Sequence, residues 1–273
     1  MTPIYYINLD RVPERHRFME GQFLSQGLSA TRIPAVDAFD MAETPEYAPA
    51  SWMQRWSLTK SEVACFESHR LAWRAIRDNE ERFAVIMEDD AILSAGFSEA
   101  LKALTKSVHC SDVIKLDGVN QVRRFGPAID IGGVRLRTIN QTIGSAAAYL
   151  ISREAAAKLE ARANRYCDTA DDHIFTPRRD MALMQLDPAI AVQGMFVEDK
   201  TSTRSDTVAA SERTSDHRIN AVSSKGPVFY RLLKELRRSG RKLMWWLWLD
   251  RRLVANGGLM DCPPLAGDLG RYR

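Results

Sequence analysis

The chain has 273 residues, 45% of them hydrophobic and 27% charged, with a net charge of +3. That length and balance fit one large or two small globular domains and exclude collagen-like, coiled-coil and wholly disordered chains. No run approaches the ~18 consecutive apolar residues of a membrane span, and the start MTPIYYINLD lacks the basic and apolar regions of a secretory signal. Cys65, Cys110, Cys167 and Cys262 form no C-x-x-C pair and read as reduced residues of a fold with its own core, so a cytoplasmic location is expected. The positive charge is concentrated. Lys225–Val254 holds nine lysines and arginines against two acids, while the rest of the chain is mildly acidic. This argues against a general nucleic-acid binder and for one local patch facing an anionic surface.

Ile4–Leu9 (IYYINL) is an apolar, β-branched and aromatic run that predicts a buried strand. A helix is expected over Arg11–Gln26 with Gly27 as its stop, then a strand over Thr31–Val36 and a Pro-containing loop over Met41–Trp56. A helix from Thr59 to about Arg77 opens on a capping box, in which Thr59 and Glu62 satisfy each other's free backbone amides. Phe83–Met87 (FAVIM) predicts a buried strand that runs straight into Glu88-Asp89-Asp90. Further on, strands are expected over Asp112–Leu116, Arg135–Ile139, Ala146–Ile151 and Met184–Val192. Helices are expected over Phe97–Ser107, Arg153–Ala163 with Ser152 as cap, and Asp171–Phe175, and Gly118–Gly133 reads as a polar stretch.

Strands alternating with helices predict an α/β fold with a mostly parallel central sheet flanked by helices. Residues 1–197 form this domain. A mobile polar linker is expected over 198–224, where Thr201–Ser224 holds ten serines and threonines. A basic, Trp-rich helical extension is expected over 225–273, with apolar residues at helical spacing from Phe229 to Trp248 and a break at Gly240. Its tryptophans and arginines suit either an anionic membrane surface or packing on the domain.

In open α/β sheets ligands bind beyond the carboxyl ends of the strands, where FAVIM delivers Glu88, Asp89 and Asp90. Three adjacent carboxylates repel one another unless paired, and a divalent cation with oxygen ligands, Mg²⁺ or Mn²⁺, removes that cost. The alternative is an exposed acidic turn.

Several segments, taken together, resemble glycosyltransferase family 25, which includes bacterial lipopolysaccharide and lipooligosaccharide galactosyltransferases and collagen galactosyltransferases. The carriers are Tyr6-Ile7-Asn8-Leu9-Asp10-Arg11 with Pro13 and Arg15, Pro34-Ala35-Val36-Asp37-Ala38, and Leu58 to His69 with its Glu62, Cys65 and Ser68-His69. Val85 to Asp90, Gly144 to Ser152 and Gln193 continue the set. The resemblance implies a GT-A-like nucleotide-sugar-binding domain and a metal-dependent inverting transfer, commonly with UDP-galactose as donor and a glycan or glycolipid as acceptor. In that picture Asp90 contacts the metal, Asp89 the metal or the ribose, and Glu88 shapes the cluster. Asn8, Asp10, Arg11 and Asp37 surround the nucleotide. Lys60-Ser61 departs from the family's more usual glycine before Glu62, and the chain beyond Gln193 matches poorly, leaving any late metal ligand unassigned.

Each candidate has a structural alternative. Glu62 is either the capping acid or a sugar contact, and His69, two turns along the same face, is either a buried histidine or a substrate or metal contact. Cys65 reads as packing. An inverting transfer needs a base for the acceptor hydroxyl, and Asp172 or Asp171 in Cys167-Asp168-Thr169-Ala170-Asp171-Asp172-His173 is expected to supply it, with an N-cap role open for Asp171. His173 reads as a surface residue, with a metal-ligand role as the alternative. Gly144 and Ser145 allow close approach of a sugar or form a turn. Arg123-Arg124 reads as a solvated pair or as a contact to the diphosphate or acceptor, and Trp52 and Trp56 as stacking or core residues. A non-catalytic glycan-binding protein or a nucleotide-sugar hydrolase would use the same residues.

Overall fold

The computed structural model of the chain describes residues 2–41, 47, 58–107, 111–197 and 228–273. The expected linker, Trp52 and Trp56 lie outside the described residues. Three parallel strands build the part of the fold that carries the site. β1 (Ile4–Asn8) is followed by helix α1 (Pro13–Ser25), which leads to β2 (Thr31–Pro34) on one side of β1. Helix α2 (Lys60–Arg77) then returns the chain to β3 (Phe83–Glu88) on the other side of β1. Because the two crossovers leave β1 in opposite directions, a crevice opens at the carboxyl ends of β1 and β3.

Local chemistry explains these elements. Pro13 opens α1, where its missing N–H costs nothing, and Gly27 follows the helix at φ +62°. The expected capping box is formed: the Glu62 amide donates to Thr59 Oγ1 (3.2 Å) and the Thr59 amide to Glu62 Oε2 (2.8 Å). Period-two alternation sends Ile4, Tyr6, Val85 and Met87 to one face of the sheet, against Phe23 of α1 and Phe97, Leu101 and Leu104 of α3 (Phe97–Ser107). It sends Ile7, Ala84 and Ile86 to the other, against Phe66 and Trp73 of α2. That face is completed by α4 (Arg153–Arg162), capped by Ser152 as expected, and α5 (Ala170–Phe175). Phe66 and Trp73 are fully buried and meet edge to face, and burial of each is worth about 2–3 kcal/mol.

The expectation of a mostly parallel sheet is corrected. The nine-stranded sheet runs β12-β7-β8-β10-β5-β9-β3-β1-β2. Its remaining strands are β5 (Val113–Lys115), β7 (Arg123–Ile131), β8 (Val134–Ile139), β9 (Ala148–Ser152), β10 (Leu183–Leu186) and β12 (Leu259–Asp261). Three neighbouring pairs are parallel and five antiparallel. A short buried run looks the same in either direction, so periodicity is blind to this choice. β7 also occupies much of Gly118–Gly133, the stretch read from the sequence as polar. A small second sheet pairs β11 (Ala191–Gln193) with β4 (Ala91–Leu93) and β6 (Asp117–Gly118). Gln22 of α1 clamps β4, donating to the Ala91 carbonyl (2.9 Å) and accepting from the Leu93 amide (2.8 Å).

At the C-terminus, α6 (Val228–Met244) continues through Gly240 into a π-helical turn (Trp245–Leu249) and α7 (Asp250–Ala255). The irregularity falls at the tryptophans and not at Gly240. Arg124 of β7 grips Asp250 through two hydrogen bonds (2.6 and 2.9 Å) and lies over the Trp245 ring, so it is not a solvated residue. Arg123 donates to the Thr142 carbonyl (2.8 Å). Beyond α7 the chain rejoins the body as β12 and a tail whose Leu269 packs on Ile92, Val192 and Val197.

Candidate active site

The crevice at the ends of β1 and β3 is a cleft of about 580 Å³. Its walls include Asn8 at the end of β1 and Arg11 beyond it, Arg15 of α1, Cys65 and His69 of α2, Glu88 at the end of β3 with Asp89 and Asp90 following, and Gln193 of β11. The three acids do not converge on one point. Alternation turns Glu88 toward α2 and Asp89 toward α1. Asp89 accepts from Asn8 Nδ2 (2.8 Å) on one oxygen and from Arg15 (3.0 Å) on the other. Burial pushes its carboxyl up, against the pull of Arg15 and Asn8. The expectation that Asp89 ligates a metal therefore meets two oxygens already held.

Asp90 differs. Its Oδ2 accepts from Gln193 Nε2 (2.8 Å), while Oδ1 is sealed from solvent with no hydrogen-bond partner. Burial first, and the neighbouring Glu88 charge second, lift this carboxyl from 3.8 to about 7. A buried carboxylate oxygen with an unused lone pair is the chemistry that a hard divalent cation satisfies, so Asp90 fits the metal the acidic motif implies.

Glu88 is the end of a buried chain. The Trp73 indole N–H donates to Tyr149 Oη (3.0 Å), Tyr149 shares a hydrogen bond with His69 Nδ1 (2.9 Å), and His69 Nε2 meets Glu88 Oε1 (3.2 Å). Burial opposes a charge on His69, but Tyr149, Cys65 and Glu88 outweigh it and hold the imidazole pKa well above the ordinary range, so Nδ1 donates to Tyr149 Oη and Nε2 to Glu88. His69 is thus a buried histidine that also orients a cleft carboxylate. Cys65 Sγ, His69 and Glu88 bring their donor atoms within 4.8 Å of one another, although both His69 ring nitrogens are already engaged.

A smaller hollow of about 20 Å³ adjoins the cleft, lined by Glu62, Ser145, Thr169, Asp171 and the shared Cys65, Glu88 and Gln193. Ser145 has φ +66°, a conformation that side chains other than glycine adopt at a cost of about 1–2 kcal/mol. Each of its polar groups is tied. The amide donates to Asp171 Oδ2 (3.1 Å), the hydroxyl to Asp117 Oδ2 (2.7 Å), and the carbonyl accepts from Lys115 Nζ. Lys115 and Asp117 form a fully buried ion pair (2.7 Å), with the ammonium over the Phe175 ring. Burial pushes Lys115 down and Asp117 up, against their mutual attraction. At Gly144 an added Cβ would fit tightly, 3.0 Å from Gln121 Nε2 at the end of a flexible side chain and 3.4 Å from Asp171 Oδ2.

Among the expected site residues, Asn8, Arg11, His69, Glu88, Asp89 and Asp90 line the cleft, and Glu62, Ser145 and Asp171 the hollow. Asp37 borders the cleft through Arg11 (2.6 Å); burial raises its pKa, but the Phe39 amide and Arg11 outweigh that and hold it below the ordinary range. Asp10 faces solvent and pairs with Arg32, and neither Asp10, Gly144 nor Asp172 lines either space. The N-cap of α5 is Thr169, not Asp171. His173 is not a surface residue. It is buried against Phe66 and Trp73 with Nε2 at the Leu159 carbonyl (3.1 Å), and burial lowers its pKa to about 4. Lys115, Asp117, Tyr149 and Trp73 were not expected at the site. A lysine inside the apolar run DVIKL was the available signal, because lysine is fully buried only when paired.

Carboxylates, arginines and a buried carboxylate oxygen thus come together in a cleft at the crevice of an α/β sheet. The model of Glycosyltransferase family 25 (LPS biosynthesis protein) matches residues 1–175, and the chain belongs to that family. Proteins named "Glycosyltransferase 25 family member" are 31% identical over 100 residues in Aedes aegypti and 32% over 95 residues in Drosophila pseudoobscura pseudoobscura. These matches cover 33% and 32% of this chain but only 16% and 15% of the relatives, so the chain aligns with about a sixth of their length. Among solved structures, the inositol-1-phosphate CTP transferase from T. maritima is 12% identical over 74% of this chain and 72% of that one, at a TM-score of 0.35, too low to bear on function.

Proposed function

We propose that the chain is a metal-dependent inverting glycosyltransferase that moves a sugar, with galactose from UDP-galactose the first to test, to a lipopolysaccharide, lipooligosaccharide or other surface-glycan acceptor. The observation that carries this reading is the buried, partnerless Oδ1 of Asp90 beside Glu88 in a cleft that also holds Arg11 and Arg15. Asp90 would hold Mn²⁺ or Mg²⁺, which when bound neutralises charge gathering on the departing diphosphate. Arg11 and Arg15 supply guanidinium donors for phosphate oxygens, released from Asp37 and Asp89 as the donor binds.

The acceptor hydroxyl oxygen bonds to the anomeric carbon from the face opposite UDP. The bond from that carbon to the diphosphate breaks, and its electron pair leaves with UDP. Asp171, which lines the hollow beside the cleft, takes the hydroxyl proton. Asp172 lies outside the hollow and is the weaker candidate. Glu62 and the Ser145 backbone frame the acceptor side.

A panel of UDP-sugars with Mn²⁺, with and without glycan acceptor, tests the reading. Acceptor-dependent UDP release, abolished by chelator and by Asp90→Ala in a folded protein, is the expected result. UDP release that ignores acceptor identifies a hydrolase, and thermal stabilisation by donor without turnover identifies a binding protein. Turnover untouched by chelator removes the metal from the reading.

A further inference from the structure

We propose that α6 is a docking surface for an anionic lipid bilayer, lying flat in the headgroup region with its apolar stripe inward. In a helix packed on its own domain the apolar stripe is the covered one, as in α2, where Val63, Phe66, Trp73 and Ile76 are buried. α6 has the opposite arrangement. Val228 and Phe229 are each 77% exposed, Leu232 58% and Leu236 61%. At about 100° per residue these four positions share an arc of roughly 100°, so the exposed side chains form one continuous stripe. An isolated amphipathic helix is marginal in water, and this stripe needs a partner to cover it.

The charge of the helix selects the partner. Val228–Met244 holds six lysines and arginines against Glu235 alone; at about 100° per residue backbone positions 231, 238 and 242 flank one edge of the stripe and 237 the other, with 234 and 241 opposite it. Two copies joined through their stripes would set two strongly basic helices side by side. A bilayer with anionic headgroups instead takes in the apolar stripe and attracts the cations that flank it. Trp248, 69% exposed in the π-helical turn, suits the same interface. No described helix is long and apolar enough to cross a membrane, so the contact is superficial. The far end of the helix is fastened to the body through Arg124, Asp250 and Trp245, so a bilayer that holds α6 also holds the catalytic sheet.

The full chain is to be sedimented with phosphatidylcholine vesicles with and without phosphatidylglycerol. Binding is expected to be at least ~10-fold tighter to the anionic vesicles and to weaken with salt. The double substitution Leu232→Glu/Leu236→Glu is expected to weaken it roughly a hundredfold, since each leucine kept out of the headgroup region forfeits on the order of a factor of ten. Leu232→Met/Leu236→Met should retain binding, and unchanged circular dichroism in both confirms folding. UDP release with a water-soluble acceptor should be unaffected, which separates this surface from the cleft. Equal binding to neutral and anionic vesicles, no binding, or indifference to the glutamate pair overturns the proposal. So does a concentration-dependent dimer, seen in sedimentation velocity, that the glutamate pair dissolves.

Discussion

Asp90→Asn should make the metal-free protein more stable while ending its turnover. The folded carboxyl titrates at about 7 against 3.8 ordinarily, because burial and Glu88 oppose its charge. Between those values the folded chain keeps a proton that the unfolded chain has shed, so stability falls as pH rises through that window. A raised pKa of this kind gives stability that is complete below the ordinary value and gone above the folded one. At ~1.4 kcal/mol per pK unit the full cost is about 4 kcal/mol, part of which is shared with Glu88, so about 2–4 kcal/mol falls to Asp90. Asparagine carries no charge and avoids it.

Urea unfolding followed by circular dichroism, with chelator present, reads the effect. The gain from Asp90→Asn should grow by about 2–3 kcal/mol between about pH 5 and about pH 8. Adding Mn²⁺ at pH 8 should then close most of that gap: a metal at a hundred times its Kd stabilises the wild type by about 2.7 kcal/mol and leaves the variant unmoved. A gain that is flat with pH, or a wild type that stays the more stable at pH 8 in chelator, would refute a buried, uncompensated carboxylate at this position.

Lys115→Met should strand the Asp117 carboxylate in the core and release the Ser145 carbonyl, lowering stability by about 3–5 kcal/mol in urea; a loss below about 1 kcal/mol would mean that Asp117 is not charged when paired. Gly118→Ala and Gly21→Ala make a contrasting pair. At Gly118 a Cβ would stand 2.2 Å from Tyr272 Oη and 2.5 Å from Leu265 Cδ2, so the C-terminal tail should lift, with faster amide exchange over 263–273 and a loss of about 1–3 kcal/mol. At Gly21, in α1, a Cβ meets nothing within 4 Å, and alanine should add about 0.5–1 kcal/mol. Equal effects at the two sites would contradict the packing of the tail.

The order of the first elements, the capping box at Thr59 and Glu62, the stop at Gly27 and the Ser152 cap were legible in the sequence, because each depends on residues within a few positions of one another. So was the place of the acidic motif at the end of a buried strand. Legibility ended where distant segments meet. That Asp89 spends both oxygens on Asn8 and Arg15 while Asp90 keeps one free follows from α1 and α2 covering opposite faces of β3. His173 looked like a surface residue until α4 and α2 closed over it. The antiparallel pairings around β9, the buried Lys115–Asp117 pair and the left-handed Ser145 it holds likewise exist only once β5, β6 and the loop before β9 are side by side. Local chemistry therefore determined which segments become helix or strand and which residues could carry charge into a site. Strand direction, the fate of each charge and the exposure of the α6 stripe were decided by tertiary structure, since a charge's partners and a stripe's cover come from chain far away in sequence.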